Sequence, residues 1–134
     1  MITTFNQEGL KDWICDRLRM TPTAHFQSIG SVSTEGVLLG VVGFDNYNGS
    51  SCNLHIAGDE GFLTKSFVKA VFDYGFNELG CFVIICTVDG SNKKSLNLVK
   101  RFDFKEIAMI PDAGRFGNMH IFTLHRKDCK WIKD

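Results

Sequence analysis

No sign of charge prevails in this chain: fifteen Lys and Arg residues stand against fifteen Asp and Glu. A balanced chain has no electrostatic footprint for nucleic acid, which needs a basic stripe or patch. The short pairs Lys93-Lys94 and Lys100-Arg101 read as solvated helix faces. Long apolar runs are also missing. Nothing approaches the roughly 20 residues of a membrane span, so no membrane partner is expected. The opening MITTFNQEGL has no basic stretch leading into an apolar one, so no signal peptide is expected. No C-x-x-C occurs among Cys15, Cys52, Cys81, Cys86 and Cys129, which argues against a zinc site or a dithiol redox motif. No metal is therefore expected. Several of these cysteines sit inside apolar runs, as in CFVIICTV. Buried reduced thiols, and hence a cytoplasmic setting, are the expectation.

What is present suits one compact unit. The chain has 134 residues, room for a single domain over 1–134, and 44% of them are hydrophobic. Twelve phenylalanines are many for this length, and most should be core. Leu10, Trp13, Ile14 and Leu18 recur at steps of three and four, which predicts a helix from Asn6 to Met20, closed by Pro22. Strands are expected over His25–Ser33, Val37–Phe44 and Cys52–Ala57, with Asn-Gly in NYNGSS marking a tight hairpin turn between the last two. Leu63, Phe67, Val68, Val71, Phe72, Phe76 and Leu79 predict a long helix over Gly61–Leu79, stopped at Gly80. Phe82–Val88 reads as a strand buried on both faces. A helix capped by Ser91 should run through Phe102, followed by strands at Phe104–Ile110 and Met119–Leu124 and a charged tail from His125 to Asp134 that carries Trp131.

This order predicts an α/β (α+β) fold, a mixed and mostly antiparallel sheet flanked by helices. A helix crossing between two strands implies one parallel pair. A ligand crevice can open at such a pair, beside a helix N-terminus.

Two stretches carry a resemblance. VFDYGFNELGC (Val71–Cys81) looks like the end of the central helix of the GNAT-type N-acetyltransferases, and VDGSNKKSLNLVKRFDFKE (Val88–Glu106) looks like their segment in which Asn is followed by Ser and Leu, then a helix, then a Gly-Phe step. Asn92, Ser95, Leu96, Phe102 and Phe104 take the matching places, and FTLHRKDCKWI resembles the family's last strand. The likeness spans about residues 36 to 132 and is greatest to the ribosomal-protein N-acetyltransferase-like branch, including short versions encoded by tailed phages. It implies the GNAT (acyl-CoA N-acyltransferase) fold, with acetyl-coenzyme A as co-substrate and a primary amine as acceptor. The acceptor site would lie on the loops around Asp45–Ser50 and Pro111–Asn118.

By the same resemblance, the cofactor would meet Ile56, Gly61, Phe62, Leu63, Thr64, Lys65, Ser66 and Asn92, with catalytic candidates at Ser95, His55 and Glu60. Ser95 would donate to the leaving thiolate, His55 or Glu60 would take the amine proton, and Asn92 would order the cofactor or substrate. Plainer readings stand beside these: Ser91, Asn92 and Ser95 as a helix start, His55 as a structural histidine, Glu60 as a solvated carboxylate. His25, His120 and His125 share no ligand spacing. Cys86 raises the alternative of an acyl-enzyme, which would need a paired base.

The sequence departs from the family's phosphate loop, Q/R-x-x-G-x-G/A. DEGFLT puts Asp59, Phe62 and Thr64 where Gln or Arg, Gly, and Gly or Ala belong, and Asp103 replaces a glycine before Phe104. Phe62 and Thr64 would crowd a diphosphate, and Asp59 and Glu60 add negative charge. Thr64, Ser66, Lys65 and Lys69 offer donors and positive charge. These departures support a rival reading, a non-catalytic GNAT-fold binding or structural module. A small α/β domain unrelated to acyltransferases would lack a splayed parallel pair. Trp131 and the edge strands could form a homodimer contact.

Overall fold

The computed structural model describes residues 1–132, so the last two residues of the predicted tail lie outside it. Seven strands form one sheet: β1 (Ile2–Thr3), β2 (Gln27–Val32), β3 (Leu38–Asp45), β4 (Ser51–Gly58), β5 (Val83–Asp89), β6 (Lys105–Ile110) and β7 (Met119–His125). Their spatial order is β1-β2-β3-β4-β5-β7-β6, and among the described residues only β4 and β5 run parallel. Helices α1 (Gln7–Leu18), α2 (Lys65–Asp73) and α3 (Lys93–Arg101) flank the sheet. The mixed, mostly antiparallel architecture expected from the sequence is the one observed.

Side chains alternate across a strand, which divides the sheet into two faces. One face carries Val42, Phe44, Cys52, Leu54, Ile84, Cys86, Phe122 and Leu124, packed with Phe67, Phe72 and Phe76 and with Leu96 and Val99 of α3. The other carries Val41, covered by Leu10 and Ile14 of α1 and by Phe26. Eight of the twelve phenylalanines are buried; Phe62 is half-buried, and Phe5, Phe82 and Phe116 are exposed.

Several boundaries differ from the sequence expectation. Asn6 caps α1, its side chain accepting from the Gly9 amide, and Arg19 in the left-handed region ends it before Pro22 is reached. The Asn-Gly hairpin is a five-residue loop rather than a tight turn, because Asn48 Oδ1 gathers the amides of Ser50 and Ser51 at 2.9 Å. β1 was not foreseen; two residues are too few to show a period. β5 buries only Ile84, Cys86 and Val88, while Thr87 is exposed, because α2 and α3 cover one face alone. The helix predicted over Gly61–Leu79 begins at Lys65 and turns π-helical over Tyr74–Glu78. Thr64 caps it, its hydroxyl accepting from the Phe67 amide at 3.2 Å, and residues 59–64 form a loop. Cys52, Cys81, Cys86 and Cys129 are buried, and all five thiols are free. No helix among the described residues is long and apolar enough to cross a membrane.

Phe62 shapes that loop. Its ring lies over Gly40 and Gly58, partners across β3 and β4: a Cβ at either would sit 2.2 Å or 2.4 Å from ring carbons. The two missing side chains make the ring's seat. Gly58→Ala is therefore expected to expel the ring and destabilise the fold by about 1–3 kcal/mol, the usual cost of overpacking, read as a lower midpoint in urea unfolding.

Candidate functional site

β4 and β5 pair only over three registers, Ser51–Asn53 with Val83–Ile85, and then part. A cavity of about 250 Å³ opens between them. That lies just under the usual range for a whole small ligand, roughly 300–1,000 Å³, and suits a narrow arm better than a nucleotide. Alternation sorts its lining. Leu54, Ile56, Cys86 and Val88 face α3, where Asn92, Ser95, Leu98 and Val99 complete the wall; His55, Thr87 and Asp89 face α1, with Leu18 and Met20. The cleft thus passes from one face of the sheet to the other.

His55 occupies the α1 side. Its side chain is 25% exposed, and Nε2 lies 3.8 Å from Asp45 Oδ2. The imidazole is stacked beside Phe26, with centroids 6.5 Å apart. Burial holds its pKa below the ordinary histidine value, and the negative charge of Asp45 partly offsets this, so the ring is neutral at pH 7. Asp45 is itself buried and fixed: Oδ1 accepts from the amides of Thr23 and Asn46 at 3.0 Å and from the Thr23 hydroxyl.

On the opposite wall, Asn92 rather than Ser91 caps α3. Its Oδ1 accepts from the Ser95 amide at 3.1 Å, and its side-chain NH2 makes no hydrogen bond among the described residues. The Ser95 hydroxyl makes no hydrogen bond among the described residues. Ser91 turns the other way and donates to Asp89 Oδ1 at 2.8 Å. Asn92→Ala is expected to cost about 1 kcal/mol through the lost cap, seen as a lower unfolding midpoint, apart from any effect on activity. Cys86 lines the cleft, but burial pushes its thiol up to about 12. Burial thus disfavours the thiolate that an acyl-enzyme would need.

The cleft thus brings together four of the candidates, His55, Ile56, Asn92 and Ser95. Glu60, Gly61, Phe62, Leu63, Thr64, Lys65 and Ser66 are not part of its lining; they form the loop and first turn that lead into α2. There the amides of Lys65 and Ser66 open the helix with no intrahelical partner. Gly61 has φ 85°, with open space where a Cβ would be. The Phe62 ring does not stand free over the loop but is seated on Gly40 and Gly58. Nor does Asp59 carry an unopposed charge: Arg17 meets it with two bonds of 2.6 and 3.3 Å, lowering its pKa. Arg17 in turn lies 3.7 Å over the Trp13 ring. Asp103 adopts φ 69°, keeping the left-handed turn for which a glycine was expected. Glu60 is exposed, and Trp131 is half-buried, packing on Phe102 with centroids 6.2 Å apart.

Sequence reasoning missed Leu18, Met20, Thr87, Asp89 and Arg17. The last had a signal in the Trp13–Arg17 spacing of four on a helix. Among the described residues, no group of three or more His, Cys, Asp or Glu side chains is placed to hold a metal ion.

Comparison with known proteins gives a family and a fold. The family described as "Acetyltransferase (GNAT) domain" matches residues 2–105. No curated protein sequence shows significant similarity. Among solved structures, a point mutant of spermidine N-acetyltransferase from Vibrio cholerae is similar over 99% of this chain and 98% of its own, with a TM-score of 0.78 and 14% identity. The same enzyme in complex with CoA and spermine is similar over 96% of each chain, with a TM-score of 0.74 and 14% identity. Its dodecameric form in an intermediate state covers 95% of this chain and 94% of its own, with a TM-score of 0.75 and 12% identity.

Proposed function

On the premise that this chain belongs to the GNAT acetyltransferase domain family, we propose that it moves an acetyl group from acetyl-coenzyme A to a primary amine by direct attack, in the cytoplasm. The supporting observation is the parting of β4 and β5, which sets His55 on one side of a through-going cleft and Asn92 and Ser95 on the other. The residues fit the co-substrate. The amides of Lys65 and Ser66, with Gly61 and the hydroxyls of Thr64 and Ser66, would hold the diphosphate; Leu63 would flank it and Ile56 would line the path of the thiol arm.

Acetyl-coenzyme A supplies an activated acyl thioester. The protein supplies the proton handling. His55, neutral and backed by Asp45, takes the proton from the amine, directly or through one water. Ser95 donates its free hydroxyl to the departing sulfur. Asn92 uses its side-chain NH2 to orient the arm.

Calorimetry with acetyl-coenzyme A tests the reading. Micromolar binding, together with amine-dependent thiol release that falls in Ser95→Ala at unchanged acetyl-coenzyme A affinity, supports it. No binding at millimolar cofactor leaves the non-catalytic module.

A further inference from the structure

The α1 side of the cleft has an unusual balance of charge for a site that receives an amine. Among the described residues its only lining carboxylate is Asp89. That carboxylate is already saturated by the protein. Oδ1 accepts from the Ser91 amide at 2.9 Å and the Ser91 hydroxyl at 2.8 Å, and Oδ2 accepts from the Phe116 amide at 2.6 Å. These bonds hold its pKa below the usual carboxylate range, so it stays ionised but has its acceptor sites committed. Asp45 lies behind His55, and Asp112 of the β6–β7 loop lies, like Arg115 of the same loop, outside the lining.

Next to the lining lies a guanidinium, that of Arg115. Phe116, held by Asp89, fixes the β6–β7 loop to one wall, and the next residue back, Arg115, reaches the other. Its Nη2 donates to the Arg19 carbonyl at 3.0 Å, between the lining residues Leu18 and Met20. Arg115 therefore spans the rim, and its remaining N–H groups make no hydrogen bond among the described residues. Arg19, beside it, is exposed. A polyamine carries several positive charges and needs several free carboxylates; the lining offers one committed carboxylate and apolar carbon, with the Arg115 guanidinium beside it.

We infer that the acceptor is a primary amine that also bears a carboxylate on an otherwise apolar frame, and that Arg115 is the specificity residue that reads the carboxylate. The inference rests on the reading of the cleft as an acetyl-transfer site. A guanidinium fork matches a carboxylate in shape and charge. Leu18 and Met20 suit an aliphatic spacer, and a nearby cation favours the neutral, nucleophilic form of the amine.

The test uses acetyl-coenzyme A with a panel of ω-amino carboxylates of three to six carbons, their carboxamides, and spermidine, following thiol release. At one or more spacer lengths the carboxylate should exceed both its carboxamide and spermidine in kcat/KM by about ten- to a hundredfold, the size of a charged hydrogen-bonded pair. In Arg115→Gln, shown folded by circular dichroism, that ratio should collapse toward one through KM, and Arg115→Lys should restore part of it. If Arg115 only straps the loop to α1, the variant lowers all acceptors alike and the inference fails. Preference for spermidine, or acetyl-coenzyme A binding with no carboxylate accepted, also overturns it. Absence of acetyl-coenzyme A binding instead overturns the proposed transfer reaction itself.

Discussion

His55→Gln is expected to lower kcat/KM for acetyl transfer by about a hundred- to ten-thousandfold, the usual contribution of a positioned general base, while acetyl-coenzyme A still binds. Glutamine keeps the bulk beside Phe26 and leaves Asp45 with its donors from Thr23 and Asn46, so the fold should survive. The pH profile gives the sharper readout. Because burial lowers the His55 pKa, the acid limb of kcat/KM should lie below about 6.5, and it should vanish in the variant. Stability follows the same sign. The unfolded chain takes up this proton at a higher pH than the folded one. His55 therefore costs the fold nothing above the unfolded pKa, and stability falls as pH drops through about 6.5 toward the folded value, by at most about 1.4 kcal/mol per pH unit. Unfolding midpoints of both proteins across that window check it. A normal acid limb in His55→Gln would exclude His55 as the base.

Phe72→Ala should have the largest effect on stability, about 3–5 kcal/mol. Phe72 is 1% exposed. Its ring touches three others: Phe76 at 6.3 Å between centroids, Phe102 at 5.8 Å and Phe104 at 6.2 Å. It therefore joins α2 to α3 and to the approach to β6, and the hole left behind is walled by rigid rings that cannot collapse into it. Against a typical total of 5–15 kcal/mol, such a loss would leave a marginal protein. Urea unfolding measures it, and Phe116→Ala, at an 81% exposed position, serves as the control, expected within about 0.5 kcal/mol of the parent. Equal effects of the two substitutions would show that the aromatic cluster is not what joins these elements.

The local signals that reached the fold were those with a repeating period. Leu10 and Ile14 marked α1, Phe67, Val68, Val71 and Phe72 marked α2, and the β-branched run of β3 marked a strand. Hydrophobic spacing was a poor guide to where α2 starts and ends. Leu63 continues the helical pattern but lies before the Thr64 cap, and Phe76 and Leu79 continue it through a turn where Leu79 bonds back to Tyr74. A five-residue step places similar residues inward, so the pattern alone cannot separate the two forms. For the cleft, Asn92, Ser95 and His55 were legible because they lie on identifiable elements. Its rim was not. Arg17 meets Asp59 across 42 residues, and Arg115 meets Arg19 across 96, and no local pattern encodes such pairings.

The three-rung junction between β4 and β5 has one more consequence. An ordinary open sheet has two edges, and both invite other chains to pair with them. Here each strand stays bonded to its outer neighbour after the split, while the sides turned toward each other go without partners. The sheet thus gains a second, interior pair of selvedges, with a row of backbone donors and acceptors along each. They are flanked by α1 and α3, and on the proposed reading the amide-bearing arm of the co-substrate would lie along them. A hazard on the outside of most sheets becomes, within this one, a ready receptor.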